Sequence, residues 1–110
     1  MLPQKVRNVI GNTKKLIIYG AGGKGKEVYK ALESNLNQFD YVSFAVTKKD
    51  DCQQGNYNIS ISTIYELARE HKDAVVIIAV TKAYEKQMFV MASSLGFEKI
   101  FVLSEVEYFG

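Results

Sequence analysis

The chain has 110 residues, 47% hydrophobic and 24% charged, with a net charge of +2. That length makes one domain able to bury roughly two-thirds of its unfolded surface, and the small charge supplies no basic footprint for nucleic acid. The lysine pairs Lys14/Lys15 and Lys48/Lys49 lack interleaved aromatics and read as solvated surface.

Cys52 is the single cysteine. It has no internal disulfide partner and belongs to no C-x-x-C metal pattern, which fits a reducing compartment. Its polar neighbours Gln53 and Gln54 mark it as a loop bystander. The opening residues, Met1 to Arg7, hold no apolar core of signal-peptide length, and no run approaches a membrane span. A cytoplasmic protein without membrane insertion is expected.

In chain order, Val6, Val9 and Ile10 recur at helical spacing after Pro3 and before Gly11-Asn12. Residues 1–13 are therefore a short helix or the end of a linker, and residues 14–110 form the domain proper. Residues 15–19 form a first strand, a continuous apolar run suited to burial on both faces of a parallel sheet. The segment Gly20-Ala21-Gly22-Gly23-Lys24-Gly25-Lys26 follows at once. Gly20, Gly22 and Gly25 fill the G-x-G-x-x-G pattern between a strand and a helix, the context that gives this pattern meaning. One glycine permits the turn, one admits a phosphate to the backbone, and one lets helix and strand pack closely. The helix points its free N–H groups and positive dipole end at the anion.

A first helix is predicted over 25–36, with Val28, Leu32 and Leu36 on one stripe. Tyr41 to Val46 form a second strand. Residues 47–58 are a polar loop, and Asn58-Ile59-Ser60-Ile61 allow a brief extended piece. Thr63 and Glu66 make a capping box for a second helix ending near His71. Ala74 to Val80 form a third strand, the most apolar segment, which belongs at the centre. A third helix covers 82–95, with Tyr84, Met88, Met91 and Leu95 on a core face and Gly96 as its stop. Ile100 to Leu103 form a fourth strand, and Ser104 caps a last turn.

Strands alternating with helices predict an α/β domain of three layers, a four-stranded parallel sheet of order 2-1-3-4 with helices on both faces. The topological switch then lies between the first and third strands, and ligands bind at the carboxyl ends there. That places Thr47, Val80 and Thr81 beside the glycine loop.

The loop also fits G-x-x-x-x-G-K from Gly20 to Lys26, but Glu27 stands where a P-loop needs Ser or Thr for magnesium. A dinucleotide site carries an acid about twenty residues beyond the loop, whereas the second strand delivers Val46-Thr47-Lys48-Lys49, with Asp50 and Asp51 a few residues late. Lys24 and Lys26 flank Gly25 and are suited either to a phosphate or to plain solvation. Lys48, on a loop beyond the strand end, is expected to contribute less than Lys24. His71 is the one histidine and has no catalytic constellation around it. No nucleophile, base and orienting group combine, so no catalytic residue and no metal site are assigned.

Lys15 to Val28 resembles the opening of the Rossmann-like N-terminal domain of bacterial sugar O- and N-acyltransferases. Similar domains are attached to glycosyltransferases and other enzymes of capsule, lipopolysaccharide and teichoic-acid synthesis. The likeness continues in Ile59–Leu67, Val75–Val80 and Ser94–Ile100 and covers roughly residues 14–103; only the glycine loop is a sharp motif. It implies a nucleotide diphosphate on Gly20, Gly22, Gly23 and Gly25, with the base at the strand ends. The family often has histidine where Lys24 stands and acids where Thr47-Lys48-Lys49 stand. Its hexapeptide-repeat β-helix, with the catalytic histidine and acyl-CoA site, has no counterpart in this sequence.

The leading expectation is thus a nucleotide- or nucleotide-sugar-binding domain working with a linked or associated transferase domain; self-association is left open. The alternative is an NAD(H)- or CoA-binding regulatory or dehydrogenase fragment. A third reading is an assembly module that has lost its ligand.

Overall fold

The computed structural model describes residues 14–33, 38–48 and 60–102. The N-terminal helix or linker, Leu36, Lys49, Asp50, Asp51, Cys52, Leu103 and the Ser104 cap lie outside the described residues. The elements are β1 (Lys15–Tyr19), α1 (Gly23–Leu32), β2 (Tyr41–Val46), β3 (Ser60–Thr63), α2 (Ile64–Glu70), β4 (Val75–Ile78), α3 (Lys82–Ser94) and β5 (Lys99–Val102).

The sheet has five parallel strands in the order β3-β2-β1-β4-β5. The expected count of four is therefore corrected. The four expected strands keep their relative order, and the brief Ser60 segment adds a fifth at the edge. It pairs Ser43 with Ser60 and Val46 with Thr63. Only Thr63 of its four residues is buried and only Ile61 is apolar, which is why its apolar pattern is too weak to read as a full strand.

β1 is central because it can be buried twice over. Leu16 and Ile18 join Val28, Tyr29, Leu32, Phe44 and Ile77 beneath α1. Ile17 and Tyr19 point the other way, with Ile64, Leu67, Val76, Ile78 and Ala92 beneath α2 and α3. Alternation along a strand thus feeds two cores. In register, Ile18 lies between Phe44 and Ile77.

The crossovers explain the layers. The chain moves from β1 to β2 with α1 on one face, then reverses through α2 and α3 on the other. Right-handed crossovers require this change of face when the direction reverses. β1 and β4 stay paired to their carboxyl ends, but the chain leaves them toward opposite faces, and this opens the switch there.

Local signals set the element ends. Thr63 Oγ1 accepts from the Glu66 N–H at 3.2 Å and donates to Glu66 Oε1 at 3.0 Å. The Thr–Glu pair therefore caps α2, although the carboxylate takes the hydroxyl proton rather than the Thr63 backbone N–H. Gly96 ends α3 at φ +102°, a conformation that favours glycine. α1 begins two residues earlier than expected because Gly22 takes the N-cap position. At the amino end of the sheet, Lys15 Nζ meets the Asp73 carboxylate at 3.2 Å. His71 caps the end of α2 and stacks on Tyr41 with ring centroids 4.1 Å apart, far from the glycine loop.

Gly25 sets how closely α1 approaches β1. A Cβ there would overlap the carbonyl oxygen of Gly20, while standing at ordinary contact distance from Phe44. Gly22, by contrast, has no neighbour within 4 Å of an added Cβ. Gly25→Ala should therefore cost about 1–3 kcal/mol or more through overpacking, whereas Gly22→Ala should cost less than about 1 kcal/mol, an N-cap effect. Thermal unfolding of the two variants checks this; equal midpoints would contradict the packing role of Gly25.

Candidate functional site

A cleft of about 600 Å³ opens at the carboxyl ends of β1, β2 and β4, a size ordinary for small-molecule sites. The loop residues Gly20, Ala21 and Gly22 form one side. Val46, Thr47 and Lys48 at the end of β2 form another. Val80 and the α3 residues Tyr84, Gln87 and Met88 close the third.

The three motif glycines divide their work in chain order. Gly20 makes the turn: its φ is +122°, and a Cβ would come within 2.5 Å of the Ala79 carbonyl oxygen. Its N–H is already spent on Ala45 O at 2.8 Å. Gly25 lets helix and strand meet. Gly22 and its neighbour Gly23 face open space, so ligand backbone contact is possible at these two.

α1 starts at Gly22 without a side-chain cap and without an acid in its first turn. The amides of Gly23, Lys24 and Gly25 have no intrahelical acceptor by helix geometry. Nothing in the helix itself offsets the positive dipole end, so the arrangement favours an anion.

Of the sequence-predicted residues, Gly20, Ala21, Gly22, Thr47 and Val80 line one cleft. Gly23 and Lys26 are exposed at the start of α1, Lys24 is half-buried there, and none of the three lines the cleft. Gly25 is buried beneath the turn. Thr81 is the exposed N-cap of α3, with no side-chain capping bond, and stands outside the lining. Lys48 lines the cleft and Lys24 does not, because β2 carries its terminal residues directly across from the glycine turn.

Thr47 occupies the strand end where a dinucleotide fold places its acid. Its Oγ1 lies 2.5 Å from the Tyr19 hydroxyl. Tyr19 faces the α2/α3 side, fully buried, and reaches the cleft rim only through this hydroxyl. Burial pushes its pKa up from the ordinary tyrosine value, the Thr47 bond pulls it back, and Tyr65 adds a further upward push. Tyr19 is therefore a neutral partner that fixes the Thr47 hydroxyl.

Sequence reasoning missed Gln87 and assigned Tyr84 and Met88 to the core. Met88 is half-buried against the α2/α3 core, but Tyr84 is 59% exposed. A signal was present. α3 begins directly beyond β4, so its first two turns must stand beside the switch, and positions 84, 87 and 88 share one helical face. Among the described residues, no group of three or more His, Cys, Asp or Glu side chains could hold a metal ion. No described helix is long and apolar enough to cross a membrane.

The PglD N-terminal domain family matches residues 15–92, from the start of β1 into the last turns of α3. The chain belongs to this family. No curated protein matches it. Among solved structures, it is similar to the acetyltransferase domain of PglB from Neisseria gonorrhoeae in complex with acetyl coenzyme A. That pair has 30% identity and a TM-score of 0.58, covering 78% of this chain and 42% of the other. UDP-D-quinovosamine 4-dehydrogenase from Vibrio fischeri is 20% identical with a TM-score of 0.61, covering 82% of this chain and 77% of that one. RSP, a Rex-family repressor, is 12% identical with a TM-score of 0.65, covering 90% and 50%. The last two likenesses show a shared fold. The chain thus spans half the length of the Rex-family chain and less than half that of the PglB acetyltransferase domain.

The Tyr19 hydroxyl gives a pH prediction. The folded state retains a proton that the unfolded chain releases near pH ~10. Stability from this source is complete below that pH and is lost as pH rises through the higher folded value. The thermal midpoint should fall above pH ~10 less steeply in Tyr19→Phe than in wild type. Parallel slopes would show that Tyr19 ionisation is not coupled to folding.

Proposed function

We propose that this chain is a nucleotide-sugar-binding domain of a sugar-modifying transferase in bacterial surface-glycan synthesis. It binds and presents the nucleotide diphosphate, and chemistry belongs to a linked or associated catalytic domain in the cytoplasm. The observation that carries this reading is the open backbone at Gly22 and Gly23, set over the uncapped start of α1 and at the rim of the switch cleft. A diphosphate would accept from the first-turn amides, and the dipole would favour its charge. Family membership and the likeness to the PglB acetyltransferase domain support the sugar-transferase setting. Thr47 in the acid's place argues against ordinary NAD recognition, which uses a carboxylate on the ribose hydroxyls.

Calorimetric titration with UDP-, CDP- and GDP-linked sugars, with NADH and coenzyme A alongside, tests the assignment. A nucleotide sugar should bind below millimolar and more tightly than NADH or coenzyme A. Tightest binding of NADH or coenzyme A would move the protein to a cofactor-binding class, and failure of every nucleotide sugar would reject the proposal. Gly22→Val should abolish binding while unfolding close to wild type, because the side chain would fill phosphate space. Retained binding in that variant would rule out the loop as the phosphate seat.

The lysines supply a graded test. Lys48→Ala should weaken diphosphate binding by about 1–2 kcal/mol, the range for charged hydrogen bonds, and Lys24→Ala should do less. Higher salt should narrow the gap between wild type and Lys48→Ala. A larger loss in Lys24→Ala would place the diphosphate's free charge on the α1 side rather than toward the end of β2.

A further inference from the structure

Of the three sides of the cleft, the phosphate reading uses the glycine loop and the end of β2 but not the third. Across from the glycine loop stand Tyr84, Gln87 and Met88, separated by three and four positions on α3 and therefore on one face of it. None of the three carries a charge. Val80, at the end of β4, joins them.

Each side chain has a distinct capacity. Tyr84 is a large aromatic left 59% exposed in the first turn of α3, at the cleft. An exposed aromatic ring is a stacking platform for any flat heterocycle. Gln87 offers one amide oxygen and one amide nitrogen, an acceptor beside donors. That pairing matches the adjacent donor and acceptor on the edge of a nucleobase, as in bidentate amide–base contacts. Met88 is half-buried and supplies a polarizable, adaptable surface. A wall meant for phosphate would instead be cationic or lined with free amides.

We infer that the Tyr84–Gln87–Met88 face of α3 is the base-recognition wall of this cleft, with Tyr84 stacking on the nucleobase and Gln87 hydrogen-bonding its edge. The inference rests on the proposed nucleotide site and deepens it. It moves base recognition from the strand ends to the helix that follows β4. Tyr84 and Gln87 are then the specificity determinants, and the glycine loop is indifferent to the base.

The test separates base, phosphate and sugar. Wild type, Tyr84→Ala, Tyr84→Phe and Gln87→Leu are titrated with UDP, CDP and GDP, with inorganic pyrophosphate, and with UDP-N-acetylglucosamine. The nucleoside diphosphate that binds wild type most tightly should lose about tenfold in Tyr84→Ala, in line with the loss of one base–aromatic stack. Tyr84→Phe should restore it, and Gln87→Leu should flatten the preference among the three bases. Pyrophosphate should bind every variant within about twofold of wild type. An equal loss for pyrophosphate would show an effect through the loop and overturn the inference. A loss confined to UDP-N-acetylglucosamine would place Tyr84 against the sugar and overturn it as well. Undiminished nucleotide binding in Tyr84→Ala would remove the inference but leave the nucleotide site standing. If none of the three nucleoside diphosphates binds wild type, the site and the inference fall together.

Discussion

Among the described glycines, the tightest constraint is the approach of Gly25 to the carbonyl of Gly20. No side chain fits between them, so the first turn of α1 lies directly against the exit of β1. Two consequences follow from this one contact. Val28, Tyr29 and Leu32 are set down on Leu16, Ile18 and Phe44 to make one of the two cores. The helix start is also fixed at the carboxyl edge of the sheet, with its amides and dipole aimed outward beside the switch. Packing and anion affinity come from the same geometry, because the dense interior leaves the helix no other seat.

The cleft itself is a product of topology. β1 and β4 are neighbours in the sheet, but the chain leaves them toward opposite faces. α1 departs to one side, α3 to the other, and the space between their first turns stays open. Val80 and Met88 belong partly to the α2/α3 core and partly to the cleft. The wall is thereby anchored by hydrophobic packing, while its upper residue, Tyr84, stands free of it. A site built on the first turns of helices held by a buried sheet is better ordered than one built on loops.

The end of β2 gives the cleft its chemical character. A buried tyrosine hydroxyl holds Thr47, and Lys48 follows it into the lining. A carboxylate at this position would seek ribose hydroxyls and repel phosphate; a neutral hydroxyl followed by a lysine does neither. Tyr19 connects this feature to the core, since its ring packs beneath α2 and α3 while only its hydroxyl reaches the rim. The Thr47 hydroxyl is thereby tied to the buried sheet through the Tyr19 side chain.

The sequence by itself determined the alternating architecture, the limits of β1 and β2, the caps at Thr63 and Gly96, and the glycine turn, because each depends on neighbours close in the chain. Apolar runs, capping pairs and glycine spacing are local signals, and their physics acts over a few residues. Only the tertiary structure decided that Ser60–Thr63 is a fifth strand, since four residues of which only Thr63 is buried become a strand only when β2 offers an edge. It alone decided that Tyr19 faces α2, that Gly22 is open while Gly25 is closed, and that Lys48 rather than Lys24 lines the cleft. Tyr84 shows the reason most plainly. Helical periodicity places it on a stripe with Met88 and Met91, and that stripe is apolar enough to be core. Met88 still packs against the core while Tyr84 is largely exposed, however, so the stripe runs past the edge of the core and its first residue meets the cleft instead. Periodicity states which residues share a face; what that face meets depends on strands distant in sequence.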